Sequence, residues 1–161
     1  MGNVKYSSMI SYDEIIENSP YLICHLISLT KTHDFYMNHY IKNETEIQPS
    51  QYYMLMFLYH EMGTNQSDIA KACLMDRSGV SRAFKEFEEK GLLTREIDEN
   101  NKRAYKIHLT EKGIKTAEFL RKKELEWDNL ICDELGIDRD VLFKVLSALS
   151  IKSLEFNREK F

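Results

Sequence analysis

The chain has 161 residues, 22 basic and 26 acidic side chains, and a formal net charge of −4. At ~100–200 residues per domain this is one compact unit with appendages. Its 43% hydrophobic and 30% charged composition excludes a membrane-embedded or disordered chain. The acidic balance argues against a histone-like coating of nucleic acid but leaves local recognition open, because the field over the contact surface is what matters.

Two prolines and six glycines favour helices over turn-rich sheet. The longest apolar run, near Tyr52–Tyr59, is far short of the ~20 residues that cross a bilayer. The opening MGNVKYSSMISYDEIIEN lacks the charged-then-apolar pattern of a secretion signal, so a cytoplasmic protein with no membrane partner is expected. Cys24, Cys73 and Cys132 are odd in number and widely spaced, which fits reduced thiols better than a disulfide framework.

In chain order, residues 1–19 read as a lead-in with a short helix at Tyr12–Glu17. Pro20 fits the first turn of the next helix. From Tyr21 to Ile41, Leu22, Leu26, Leu29, Tyr36 and Tyr40 recur at helical spacing. KNETEIQ interrupts, and Pro49 opens a second helix, apolar on most sides and therefore buried, which Gly63 stops. Asn65 and Asp68 resemble a capping box ahead of a short helix that runs to Cys73. Leu74 and Met75 turn the chain, and Asp76 is a good N-cap for a helix ended by Gly91.

The period then changes. LLTREID and AYKIHLT alternate as strands do, and ENNKR joins them, which makes a β-hairpin with Lys102 and Arg103 at its tip. Thr110 caps a long amphipathic helix to Leu135, and Gly136 breaks it. Asp138 begins a last helix with Val141, Leu142, Val145, Leu146 and Leu149 on one side. The fold class expected is mainly α with a small β-hairpin wing: a helix-turn-helix followed at once by a hairpin is a winged helix.

At 100° per residue, the helix after Asp76 puts Val80, Phe84 and Phe87 on one stripe. Arg77, Ser78, Ser81, Arg82 and Lys85 fall on another, and the acids Glu86, Glu88 and Glu89 come late. A recognition helix enters the major groove with its N-terminal part leading, where the dipole is positive. Arg suits guanine O6/N7, Ser lets the backbone come close, and Gly79 adds no bulk at the point of approach. An ordinary solvated surface would look the same on this helix alone. The basic hairpin beside it, with Arg95 and Lys106 on its flanks, turns the reading toward DNA.

The stretch QSDIAKACLMDRSGVSRAFKEFEEKGLLTREIDENNKRAYKIHLTEKG resembles the DNA-binding core of the MarR (multiple-antibiotic-resistance regulator) family. Gln66-Ser67-Asp68-Ile69-Ala70, Asp76-Arg77-Ser78, Val80-Ser81-Arg82, Glu89-Lys90-Gly91-Leu92 and Leu109-Thr110-Glu111-Lys112-Gly113 match its motifs in order and spacing. With the flanking helices the resemblance covers residues 20–155. It implies a homodimeric transcriptional regulator, a repressor that reads a pseudo-palindromic operator in double-stranded DNA. Residues 1–47 and 111–161 would supply dimerisation helices, and residues 48–110 the winged helix-turn-helix. Gln66, Ser67, Arg77, Ser78, Ser81, Arg82, Lys85, Arg95, Lys102, Arg103 and Lys106 would face DNA. Two departures stand out. Asn101 replaces the wing Asp that braces an arginine, which leaves Arg103 less held. Gln48 replaces the Thr that caps the second helix.

The same resemblance implies a small-molecule pocket between the dimerisation helices and the winged helix. Cys24, Tyr36, His39, Tyr40, Tyr52, Tyr53 and Met56, with Met54, are its candidate lining, and a phenolic or other apolar compound its ligand. Core packing alone would also place Met and aromatic residues at helical spacing. Cys24 resembles in position the sensing thiol of the hydroperoxide-responsive branch, which makes oxidant sensing an alternative. The tyrosines that surround such a thiol are replaced by Ser28 and Asn38. His25, His33, His39, His60 and His108 lack metal-ligand spacing, so no metal is expected. With no nucleophile–base pair, phosphate loop or paired carboxylates, neither an enzyme nor a cofactor is expected. A winged helix that holds a protein and reads no sequence is the alternative from another class.

Overall fold

The computed structural model describes residues 16–61, 66–73, 75–98 and 101–160; of residues 67, 72, 98 and 101–104 it describes the backbone alone. The first long helix, α1, spans Leu22–Glu44. Pro20 therefore stands before the cap, Tyr21, and not in the first turn. Of the short helix expected before it, residues 16–17 are helical and the earlier ones lie outside the described residues. After α1, the turn Pro49–Gln51 leads into α2, Tyr52–His60, with Pro49 at a first-turn position where its missing N–H costs nothing. Tyr52, Met54, Leu55, Met56 and Leu58 are buried, as an apolar helix requires. Gly63 and Asn65 lie outside the described residues, and α2 has already ended by Glu61.

The short helix α3, Gln66–Ala72, is followed by α4, Arg77–Glu89. Asp76 caps α4: its Oδ1 accepts the Gly79 N–H at 2.7 Å. At the other end, Gly91 sits at φ 67, where a side chain would be strained. Its N–H bonds to the Glu88 carbonyl, and the Leu92 N–H bonds to that of Phe87. That pair of bonds is a Schellman stop, and it satisfies two carbonyls the helix leaves open. Gly136 repeats the device at φ 62 after α5, Glu111–Leu135. Thr110 caps α5, and Asp138 Oδ1 accepts the Val141 N–H at 3.0 Å at the start of α6, Arg139–Lys160.

The wing is an antiparallel pair, β1 Leu93–Asp98 and β2 Asn101–Leu109. Its register runs from Leu93↔Leu109 to Ile97↔Tyr105, then shifts so that Asp98 faces Asn101. This corrects the expected hairpin. Lys102 and Arg103 are not at the tip but within β2, in the stretch taken up by the register shift. A β-bulge accommodates extra residues on one strand in this way.

The core gathers Leu55, Leu58, Ile69, Val80, Phe84, Phe87, Leu92, Ile107 and Leu120, all at or below 1% exposure. Val80, Phe84 and Phe87 are the stripe expected of α4. The last helix is different: α6 has no buried residue, and Val141, Val145, Leu149, Leu154 and Phe156 are each about half exposed. No helix among the described residues is long and apolar enough to cross a membrane.

Candidate nucleic-acid interface

Burying one face of α4 forces the opposite face outward. Arg77, Ser78, Ser81, Arg82 and Lys85 are all exposed. They occupy the first nine residues of a thirteen-residue helix, so they share its positive end. Ser78 is not a free donor, because its hydroxyl donates to Asp76 Oδ1 at 2.6 Å. It can accept from a base, but donating to a phosphate would give up its bond to Asp76. That bond, with the Gly79 N–H and the nearby Arg82, holds the Asp76 carboxyl below its usual range. Lys85 Nζ stands 3.7 Å from Glu89 on the same exposed helix face. Gly79 needs no exemption from a side chain within the chain, since a Cβ there would meet Met75 at an ordinary 3.4 Å.

Two other candidates take on structural duties. Gln66 Nε2 donates to the Arg77 carbonyl at 3.5 Å, which ties α3 to the first turn of α4. Arg95 turns back from β1: its Nη2 donates to Glu88 Oε2, and its guanidinium lies 5.9 Å from the centroid of buried Phe84. At 21% side-chain exposure it braces the helix–wing junction more than it faces solvent. Lys106 is exposed on β2, in register with Glu96. The side chains of Ser67, Lys102 and Arg103 lie outside the described residues.

The wing is held from below by α5. The Thr110 N–H donates to the Leu92 carbonyl, and the Thr110 hydroxyl donates to the Gly91 carbonyl at 2.6 Å. The same hydroxyl oxygen accepts the Gly113 N–H at 3.1 Å. A Cβ on Gly113 would fall 2.0 Å from the Leu92 carbonyl oxygen, so only glycine lets α5 approach this turn.

The expected ligand-pocket residues are not brought together. Tyr52 and Tyr53 line a cleft of about 260 Å³ between α1 and α2, with Asp34, Asn38, Pro49 and Ser50. Tyr36, His39 and Tyr40 line a second cleft of about 490 Å³ along α1, which shares Asn38 with the first. Met56 is buried in the core at 8% exposure, and Cys24 sits in the first turn of α1 and lines neither cleft. Tyr53 donates to Asp34 Oδ1 at 3.1 Å, and burial together with that carboxylate pushes its hydroxyl up to about 12.

The pairing of Gln51 with Glu86 has no signal in the sequence. Gln51 is a polar residue buried at 5% exposure. Its Oε1 accepts the Gln48 N–H at 2.9 Å, and its Nε2 donates to Glu86 Oε2 at 2.5 Å. The first bond is one half of a capping box around Gln48. A Gln three places after the cap position is the spacing of a capping box, and that signal was readable. The reach to Glu86 was not.

A model of the MarR family matches residues 45–104, which span α2, α3, α4 and most of the wing. Over that stretch the chain is similar to the MarR family. A MarR transcriptional regulator from Methanosarcina mazei Go1 superposes with a TM-score of 0.71 at 28% identity, over 83% of this chain and 97% of that one. The uncharacterised HTH-type transcriptional regulator YybA of Bacillus subtilis is 32% identical over 50% of this chain and 53% of its own length. The matched stretches span between 53% and 65% of the curated relatives. A MepR–DNA complex from S. aureus shares the MarR fold with a TM-score of 0.67 at 24% identity, over 83% of this chain and 99% of that one.

Proposed function

We propose that this chain is a MarR-family transcriptional regulator that binds double-stranded DNA as a homodimer and acts as a repressor on a pseudo-palindromic operator. The observation that carries the reading is the split of α4: Val80, Phe84 and Phe87 fully buried, Arg77, Ser78, Ser81 and Arg82 exposed on its leading turns. Arg82 and Arg77 are suited to base edges, and Lys102, Arg103 and Lys106 to phosphates. The half-exposed apolar row on α6, with Tyr21, Leu22 and Ile23 at the start of α1, supports a second copy as its cover. The two recognition helices would then meet half-sites roughly 34 Å apart.

A small amphipathic ligand in the cleft between α1 and α2 would release DNA by favouring a dimer with wrongly spaced helices. Tyr53 and Asp34 at that cleft support an aromatic ligand with a polar group. The test is a salt titration of binding to the DNA upstream of this protein's own gene, with random DNA of equal length beside it. Tighter binding to the upstream fragment at every salt concentration, with similar slopes, is the expected result. Equal and weak binding to both fragments would count for a protein-holding winged helix instead.

A further inference from the structure

Gln51 stands between two features that the fold otherwise keeps apart. On one side, its neighbours in sequence, Pro49, Ser50, Tyr52 and Tyr53, line the cleft between α1 and α2. On the other, its amide donates across 35 residues of sequence to Glu86, which lies on α4 one turn beyond Arg82. The side chain is buried and uses both ends, the oxygen on the Gln48 N–H and the nitrogen on the carboxylate. A bond to a carboxylate is short and directional, and leaving the buried Gln51 amide without its partner is costly. The chain from Gln48 to Gln51 cannot change its turn without moving the donor that Glu86 receives.

We infer that Gln51 is a positioning residue for the recognition helix: its bond to Glu86 sets α4 on the corner between α1 and α2, and transmits shifts of that corner to the DNA-facing side chains. The inference rests on reading α4 as the helix that meets DNA. Gln51 is buried and lies off the exposed basic face, so its effect on DNA must pass through the placement of α4.

The chemistry allows a reciprocal test in the full chain. Gln51→Glu keeps an acceptor for the Gln48 N–H but sets two carboxylates against each other. Glu86→Gln keeps an acceptor for Gln51. The double variant restores one donor and one acceptor with their places exchanged. Two readouts are taken for the four proteins, at a temperature where circular dichroism shows each of them folded. The first is backbone amide exchange of residues 77–86 in the DNA-free protein. The second is affinity for the upstream DNA fragment.

Gln51→Glu should speed exchange in residues 77–86 and weaken DNA binding by about tenfold or more, the scale expected for a lost hydrogen bond to a charge. Glu86→Gln should stay within about threefold of the parent, and the double variant should recover both readouts. A folded Gln51→Glu protein with unchanged exchange in α4, or a double variant that fails to recover, overturns the inference. If the parent shows no preference for the fragment, the functional reading fails, and the exchange data still decide whether Gln51 positions α4.

Discussion

Arg95 Nη2 lies 2.5 Å from Glu88 Oε2, so an ion pair closes the turn between α4 and β1. The pair joins the last turn of α4 to the base of the wing, and Arg95 also lies over Phe84. Arg95→Ala should therefore cost stability, ~1–2 kcal/mol, through the lost pair and the lost packing of its stem. Its effect on DNA affinity should be smaller than that of Arg82→Ala. Urea unfolding and DNA binding measured on the same two variants check this. An Arg95→Ala protein of unchanged stability that binds DNA poorly would return Arg95 to the DNA-facing set.

Arg82 is exposed and forms no ion pair among the described residues. Removing its side chain should leave folding within ~0.5 kcal/mol. On the preferred sequence the same variant should lose ~1–3 kcal/mol of binding and become less selective. Arg103→Ala should instead weaken binding to all sequences alike, as a phosphate contact does. Competition between upstream and random DNA separates the two; equal losses on both for each variant would remove the division of labour.

Gly113 is where the start of α5 meets the turn after α4. A methyl group there would stand 2.0 Å from the Leu92 carbonyl oxygen and 3.2 Å from Leu109 Cδ2. Backbone must move to admit it, so Gly113→Ala should destabilise by ~2–3 kcal/mol even though alanine is the better helix former. The thermal midpoint would show it. A midpoint at or above that of the parent would mean the turn yields more easily than its hydrogen bonds to Thr110 suggest.

His33 lies between two carboxylates, with Nε2 3.7 Å from Glu124 and Nδ1 3.8 Å from Asp34. Its bond to Glu124 above all raises its pKa over 6.5, against the opposing effect of burial. Burial pushes Glu124 up, but His33 and the adjacent Tyr52 hydroxyl outweigh it and bring it below 4.5. A raised histidine adds stability that is fully present below 6.5 and is lost as pH climbs through its folded value. A lowered carboxylate adds stability above 4.5 that is lost as pH falls through its folded value. The pair is thus worth most in mildly acid solution. Glu124→Gln should lower the thermal midpoint most near about pH 5.5, with the gap narrowing by about pH 8. A gap constant with pH would take His33 out of the account.

Much of this molecule was readable from the sequence because its devices are local. Asp76, Gly91, Gly136 and Asp138 each act on groups within five residues, as Thr110 does in capping Gly113, and there chain connectivity already supplies proximity. The stripe of Val80, Phe84 and Phe87 follows from helical period alone, and so does the outward set that begins at Arg77. The motif around Thr110 and Gly113 was recognisable as a pattern, but its reason, the Leu92 carbonyl, comes from a turn twenty-one residues away. Other features depend on closure of the chain. Arg95 looked like a DNA contact until the turn at Gly91 brought Glu88 to it. Tyr36 and Tyr40 on α1 line one cleft and Tyr52 and Tyr53 at the start of α2 another, a division that the period within either helix does not carry. The register shift in the wing drew Lys102 and Arg103 into a strand, where strand alternation alone had put them at a tip. Gln51 meets Glu86 only because the core between them forms, and no spacing rule reaches across 35 residues. Period and capping determined the elements and the face α4 turns to solvent; packing decided which charges are already spent inside the protein and which are left for a partner.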